Sequence, residues 1–363
     1  MKSILGKAIV STASILCFVL ISCIKEPDAP TNSIPNLQTR ALLILNEGLF
    51  QMNNSSLTYF SFSDSTSITD FFEIQNGRKL GDTGNHMACY GNKIYIVVNV
   101  SSRIEVIDKK NGQGLVSIPM FNGSQPRQPR YIAFYQNKAY VCSFDGTVSV
   151  IDTSTLAIQN IIRVGQNPDG IIVANEKIYV ANSGGLNYPN YDRTISVIDP
   201  QTEQETKRIE VQINPHHMAV DRYGDLYVIS RGNYTTIKSC LQRIDTQTDS
   251  LVETFQNLEA QNIAILNDTA YLYQYNFSGQ QATKLILFNV KTEQIINDNF
   301  ANISAFVETP YGITVDPVNR QIFLTDARGF TNRGKVVCLS KIGEKLFEFQ
   351  AGINPNHIVL ITQ

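Results

Sequence analysis

The stretch "NPHHMAVDRYGDLYVIS", residues 214–230, decides the fold, because "NPDGIIVANEKIYVANS", residues 167–183, repeats it in the same frame. Further copies start at Gly84, Gln128, Glu259 and Thr309, and "NPNHIVLITQ", residues 354–363, holds the first part of another. Each copy is a polar corner, four or five apolar residues, a tight polar turn and a second apolar run. Short apolar runs divided by turn residues read as paired β-strands. Self-similarity at a fixed period reads as a repeat architecture.

The second strands begin near Leu42, Ile94, Ala139, Ile178, Leu226, Ala270 and Ile322, a spacing of roughly 40 to 50 residues. Third strands follow, often ending in Ile-Asp, as in "RIEVID" at Arg103, "TVSVID" at Thr147 and "TISVID" at Thr194. A fourth, more polar strand comes next, such as "IQNIIRV" at Ile158. No amphipathic helix is expected beyond the N-terminal segment. The first copy begins at its second strand, "ALLILNEG", while the last supplies only a first strand, "HIVLI". Those complementary cuts predict an all-β fold. It is a seven-bladed β-propeller of four-stranded blades, closed by the C-terminal strand completing the first blade, which leaves no long edge unpaired.

The segment "VSVIDTSTLAIQNIIRVGQNPDGIIVANEKIYVANSG", residues 148–184, resembles the YVTN-repeat or YncE-like propellers. The resemblance implies the propeller fold and names no ligand.

The N-terminus carries its own message. Lys2 and Lys7 precede an apolar run from Ala8 to Ile21, and "LISC" ends at Cys23. That run has the flanks of a secretory signal. Its end resembles the lipobox of bacterial lipoproteins, which implies lipidation of Cys23. The expected organisation is a signal peptide over 1–22, a flexible tether over 23–38 and a single propeller over 39–363. A formal net charge of −2 points away from nucleic acid. Membrane association is expected through the lipid alone, at the cell surface or periplasmic face of an outer membrane. Cys89, Cys142, Cys240 and Cys338 lie singly in strand-like runs, and are expected as buried thiols.

Stacking the seven corners yields two polar columns. The first reads Asn85, Arg130, Asp169, His216, Gln261, Tyr311 and Asn356; the next reads His86, Tyr131, Gly170, His217, Asn262, Gly312 and His357. All four histidines therefore fall at one level, and the next position is apolar in every copy. Neighbours in an extended strand point in opposite directions, so His216 and His217 are not expected to grip one ion. No metal site and no cofactor are expected. The corner residues should stand as polar, solvated groups at a channel mouth, where some can hydrogen-bond a ligand.

The loops between second and third strands belong to the same face. Those of blades two and three, "NVSSR" and "SFDGT", are short. The others carry Phe50, Tyr188, Tyr191, Arg231, Tyr234, Tyr275, Phe277 and Phe330. A rim raised on one side, rich in Tyr, Phe, Arg and amides, has the composition of a binding surface. No GxSxG, HExxH, GxxxxGK[ST] or GxGxxG stands in the chain, so a non-catalytic role is expected.

The lipobox, mature length and repeat style resemble a family of Bacteroidetes lipoprotein propellers. Those capture cobalamin at the cell surface and pass it to an outer-membrane transporter. The resemblance implies capture of a small molecule, a corrinoid in particular; a closed propeller is commonly complete by itself, so a monomer is expected. A glycan- or protein-binding scaffold and a lyase or lactonase-type enzyme are the alternatives.

Overall fold

Each second strand is apolar at consecutive positions, so both of its faces need cover. The computed structural model, which describes residues 38–275 and 283–362, shows how that cover is arranged. Leu42 and Ile44 pack on Phe323 and Val336, while the alternate residues Leu43 and Leu45 pack on Met87, Ile94 and Ile96. Period-two alternation thus sends successive side chains into the sheets on either side. Among the described residues, seven such apolar clusters occur, one between each pair of neighbouring blades.

The sheets are seven four-stranded antiparallel blades, as the repeat requires. The inner strands are Gly84–Tyr90, Pro129–Tyr135, Pro168–Ala174, Pro215–Val220, Asn262–Leu266, Pro310–Val315 and Pro355–Thr362. They touch one another in succession around the ring. "HIVLI" lies beside "ALLILNEG": Val359 pairs with Leu43, Ile358 with Ile44 and His357 with Leu45. The last strand therefore completes blade one.

Local chemistry explains the repeated phrases. The Asp closing each "VID" accepts the backbone N–H two residues on, and Asp108 and Asp152 also accept the one three residues on, as Asp152 does from Ser154 and Thr155. That is an Asx turn, and it folds the third strand back into the fourth. The Asn of each "NP" corner takes left-handed backbone, with φ of 42° at Asn167, 61° at Asn214 and 53° at Asn354. Asn tolerates that region better than most residues.

Three small elements depart from expectation, one of them a single 3-10 turn over Ile303–Ala305 ahead of blade seven. Phe71–Asn76 forms a short helix after blade one, with Phe72 buried between blades one and two. A hairpin of Phe121–Asn122 and Gln125–Pro126 follows blade two. Each is too short to show a period in the sequence. The signal segment, the tether up to residue 37 with Cys23, and Phe277 lie outside the described residues. The four cysteines of the propeller are free; Cys142, Cys240 and Cys338 are buried and Cys89 is half-buried.

A chain ending at Asn354 would leave the Leu42–Asn46 edge unpaired and uncover Ile44. It is expected to lose its cooperative thermal transition and to aggregate, as followed by circular dichroism and size-exclusion chromatography. Adding the peptide 354–363 should restore the transition. An unchanged melting curve after truncation would contradict the closure.

Candidate functional site

The corners are not regular strand. Opposite Ser230 stands Pro215 and opposite Val228 stands Met218, so three steps on one strand match two on the other. The same bulge falls at Pro168–Ile171, and single-residue shifts occur at Gly84–His86, Pro129–Tyr131 and Pro310–Gly312. A bulge re-aims side chains and breaks alternation. His216 and His217 consequently sit with ring centroids 4.0 Å apart, and both line the central cavity. This corrects the expectation that they point opposite ways.

The first column stitches blade to blade. Asn356 Nδ2 donates to the carbonyls of Gly84 and Asn85 at 3.0 and 3.1 Å, and Asn85 Nδ2 donates to the Arg130 carbonyl at 2.6 Å. Arg130 Nε meets Asp169 Oδ1 at 2.6 Å, and His216 Nε2 stands 3.2 Å from Asp169 Oδ2. The Tyr311 hydroxyl donates to Glu47 Oε2 at 2.5 Å, joining blade seven to blade one. The circuit lapses between blades five and six. There the Gln261 amide reaches the Ser239 hydroxyl only at 3.5 Å, a length at which little hydrogen-bond energy remains.

The second column shapes the interior. A Cβ on Gly170 would stand 2.3 Å from the His216 carbonyl oxygen, and one on Gly312 would stand 2.3 Å from that of Asn356. Glycine is therefore what lets those blades approach. Its ring-bearing members form a chain across the channel. His357 and His86 lie 4.3 Å apart, His86 and Tyr131 4.7 Å, and Tyr131 and His217 6.2 Å.

These residues enclose a central cavity of about 320 Å³. Its polar wall holds His86, Arg130, Tyr131, His216, His217, Arg231, Tyr311 and His357, and its deeper wall holds the apolar residues that follow, Ile132, Ile171, Met218, Ile263 and Ile313. A side pocket of about 260 Å³ shares His217, Arg231 and Tyr311, and adds Tyr234, Gln261, Tyr275 and Phe330. Above it, Tyr188, Tyr191 and Tyr234 form an edge-to-face ladder at 6.1 and 6.4 Å. Phe50 is 68% exposed on the blade-one loop and lines neither space, while Asp169 is buried behind the wall between Arg130 and His216.

Glu47 was not singled out from the sequence. It is the first residue past a second strand, where the loop returns toward the corner. Aligning the strand exits would have found it, because that column reads Glu47, Asn99, Phe144, Ser183, Arg231, Tyr275 and Ala327. Phe144 belongs to it as well, with the Arg130 guanidinium 4.5 Å over its ring.

Burial governs the titration of the site. It pushes His357 down to about 4 and, with the charge of Arg231 added, His216 to about 4. It holds His86 and His217 well below 6.5, helped by the neighbouring imidazoles. Burial would raise Asp169, but Arg130 and His216 hold its carboxyl well below the usual range. Burial raises Glu47 against the opposing pull of Tyr311. The histidines are thus neutral near pH 7; His216 is buried in the wall, while His86, His217 and His357 are half-buried and line the cavity. Among the described residues, no group of three or more His, Cys, Asp or Glu is arranged to hold a metal ion.

A histidine depressed in the fold binds protons more weakly there than in the unfolded chain. Its contribution is whole above pH 6.5 and is lost as pH falls through about 4. For buried His216 this is on the order of 3 kcal/mol. Urea midpoints of untagged protein should therefore fall between pH 7 and 4.5, and less steeply for His216→Gln. Four imidazolium signals by NMR at pH 5.5 would contradict the neutral wall.

Among proteins of known family or structure, a family model described as a domain of unknown function, DUF5074, matches residues 40–352. No curated protein matches the chain. A quinoprotein alcohol dehydrogenase-like protein from Bacteroides thetaiotaomicron is similar at a TM-score of 0.63 and 14% identity, over 90% of this chain and 79% of that one. The hydrazine synthase of Kuenenia stuttgartiensis is similar at 0.57 and 18%, over 71% and 76%. The Pan2 WD40 domain of Neurospora crassa is similar at 0.56 and 13%, over 80% and 83%. At such identities the likeness establishes the propeller fold and carries no ligand or reaction across.

Proposed function

The chain belongs to the DUF5074 family, and we propose that this member is a non-catalytic binding propeller that captures a small molecule, a corrinoid in particular. One observation carries the reading. Two cavities share His217, Arg231 and Tyr311 and lie under a rim whose Tyr188, Tyr191 and Tyr234 rings are already ordered against one another. Rigid aromatics over a preformed polar recess give contact area and orientation together.

The volumes set the pose. A cavity of about 320 Å³ stands at the bottom of the range for whole small-molecule sites. A large, flat, amide-edged corrinoid would lie across the rim, with one edge dipping into the side pocket. In this reading the lipobox ending at Cys23 tethers a monomeric propeller to the outer membrane, where an outer-membrane transporter receives the ligand.

An enzyme reading draws support from the Asp169–His216 contact, which resembles an oriented base. A base needs an open lone pair. With Nε2 turned to Asp169, the remaining His216 Nδ1 is buried and has no hydrogen-bond partner. That favours a structural role for the pair and binding for the face. Arg130, committed to Asp169, is likewise a poor probe of ligand contact.

Calorimetric titration of the mature chain with cyanocobalamin is expected to give one site with Kd below about 1 μM. Tyr188→Ala combined with Tyr191→Ala should weaken it at least about tenfold, the usual loss for interface aromatics. No heat at that concentration would remove the corrinoid and leave the glycan or protein scaffold in front.

A further inference from the structure

The charges on the cavity walls do not pair off evenly. Arg130 is engaged by Asp169, and Glu47 by the Tyr311 hydroxyl. Arg231 lines both spaces, and among the described residues its guanidinium has no ion-pair or hydrogen-bond partner. It stands where the corner circuit lapses, between blades five and six. The imidazoles beside it are neutral and bring no compensating charge. A half-buried guanidinium without a direct partner lacks part of its hydration and receives in return only the more distant charge of Asp169. Its planar fork of N–H donors matches a carboxylate or phosphate.

The surroundings define what would carry that anion. Tyr234, Tyr275 and Phe330 wall the side pocket, with Gln261 at its edge. Aromatic walls favour the face or edge of a planar ring. The space, about 260 Å³, holds a part of a ligand more readily than the whole of one.

We propose that Arg231 makes the side pocket an oxyanion subsite, which takes the carboxylate or phosphate of a planar group seated among Tyr234, Tyr275 and Phe330. This rests on the reading of the face as a small-molecule site; it does not require the ligand to be a corrinoid.

The test uses the mature chain and three probes of one shape: benzoate, phenyl phosphate and the neutral benzamide. In ligand-observed NMR titrations at least one anion should bind, with benzamide at least about tenfold weaker, the ordinary worth of a charged hydrogen bond. Preference between the two anions separates a carboxylate source from a phosphate source. Arg231→Gln should lower the anion affinity by the same factor and leave benzamide unmoved, while Arg231→Lys retains part of the affinity. Free Arg231→Gln protein should melt no lower than the native chain, since a half-buried charge without a direct partner has been removed. The preferred anion at saturation should raise the melting temperature of the native chain alone.

Benzamide binding as well as both anions would overturn the proposal. So would anion affinity unchanged in Arg231→Gln, or in Arg231→Lys should the Gln variant fail to fold. Cyanocobalamin is titrated in parallel. If it binds native and variant protein equally while the anions fail, the subsite falls and the corrinoid reading stands. If the anions behave as expected and cyanocobalamin gives no heat, the subsite stands and the corrinoid falls.

Discussion

The pairing of Ile358 with Ile44 is the contact on which the remaining architecture depends. The second strands are apolar on both faces, so no blade can stand as an outer wall, and each requires a neighbour on either side. Only a closed ring supplies that. Closure brings residues more than 250 positions apart into contact at the corners, as between Tyr311 and Glu47 or Asn356 and Gly84. Fixed corners in turn give the cavity a fixed wall.

The proposed function follows from where that wall is left incomplete. From blade one to blade five each corner hands a hydrogen bond or a charge to the next, and blade seven returns to blade one. Such residues are committed to the scaffold; Asp169, with Arg130 on one oxygen and His216 on the other, has little left to offer a ligand. Between blades five and six the handover fails, and there the side pocket opens, Arg231 lacks a direct partner among the described residues and the tall aromatic loops gather. Rigidity and vacancy are thus divided around the ring. A site held by a fully paired scaffold on one side and unsatisfied on the other is preorganised for a guest.

Much of this was legible in the residues. The repeat phrase gave blade number, strand limits and closure because every blade solves the same packing problem with the same chemistry. The polar columns were legible for the same reason, and they placed His86, Tyr131, His217, Tyr311 and His357 on one wall. Three features were not. Alternation misdirected His216 and His217, because the bulge between Pro215 and Met218 depends on pairing with Ser230 and Val228, which a single strand does not reveal. Glu47 was hidden since it stands at a strand exit rather than a corner, and its partner Tyr311 lies at the far end of the chain. The neutrality of the histidines was also out of reach, because desolvation is a property of the closed ring and not of any one blade.

On the proposed reading a guest sits on the unpaired side of the ring, over Arg231. A crystal structure of the mature chain grown with saturating cyanocobalamin addresses it directly. Ligand density is expected across the loops of blades four to seven, with an edge group against the Arg231 guanidinium and the Arg130–Asp169 pair undisturbed. Density on the opposite face of the propeller, or a ligand seated by breaking that pair, would contradict it.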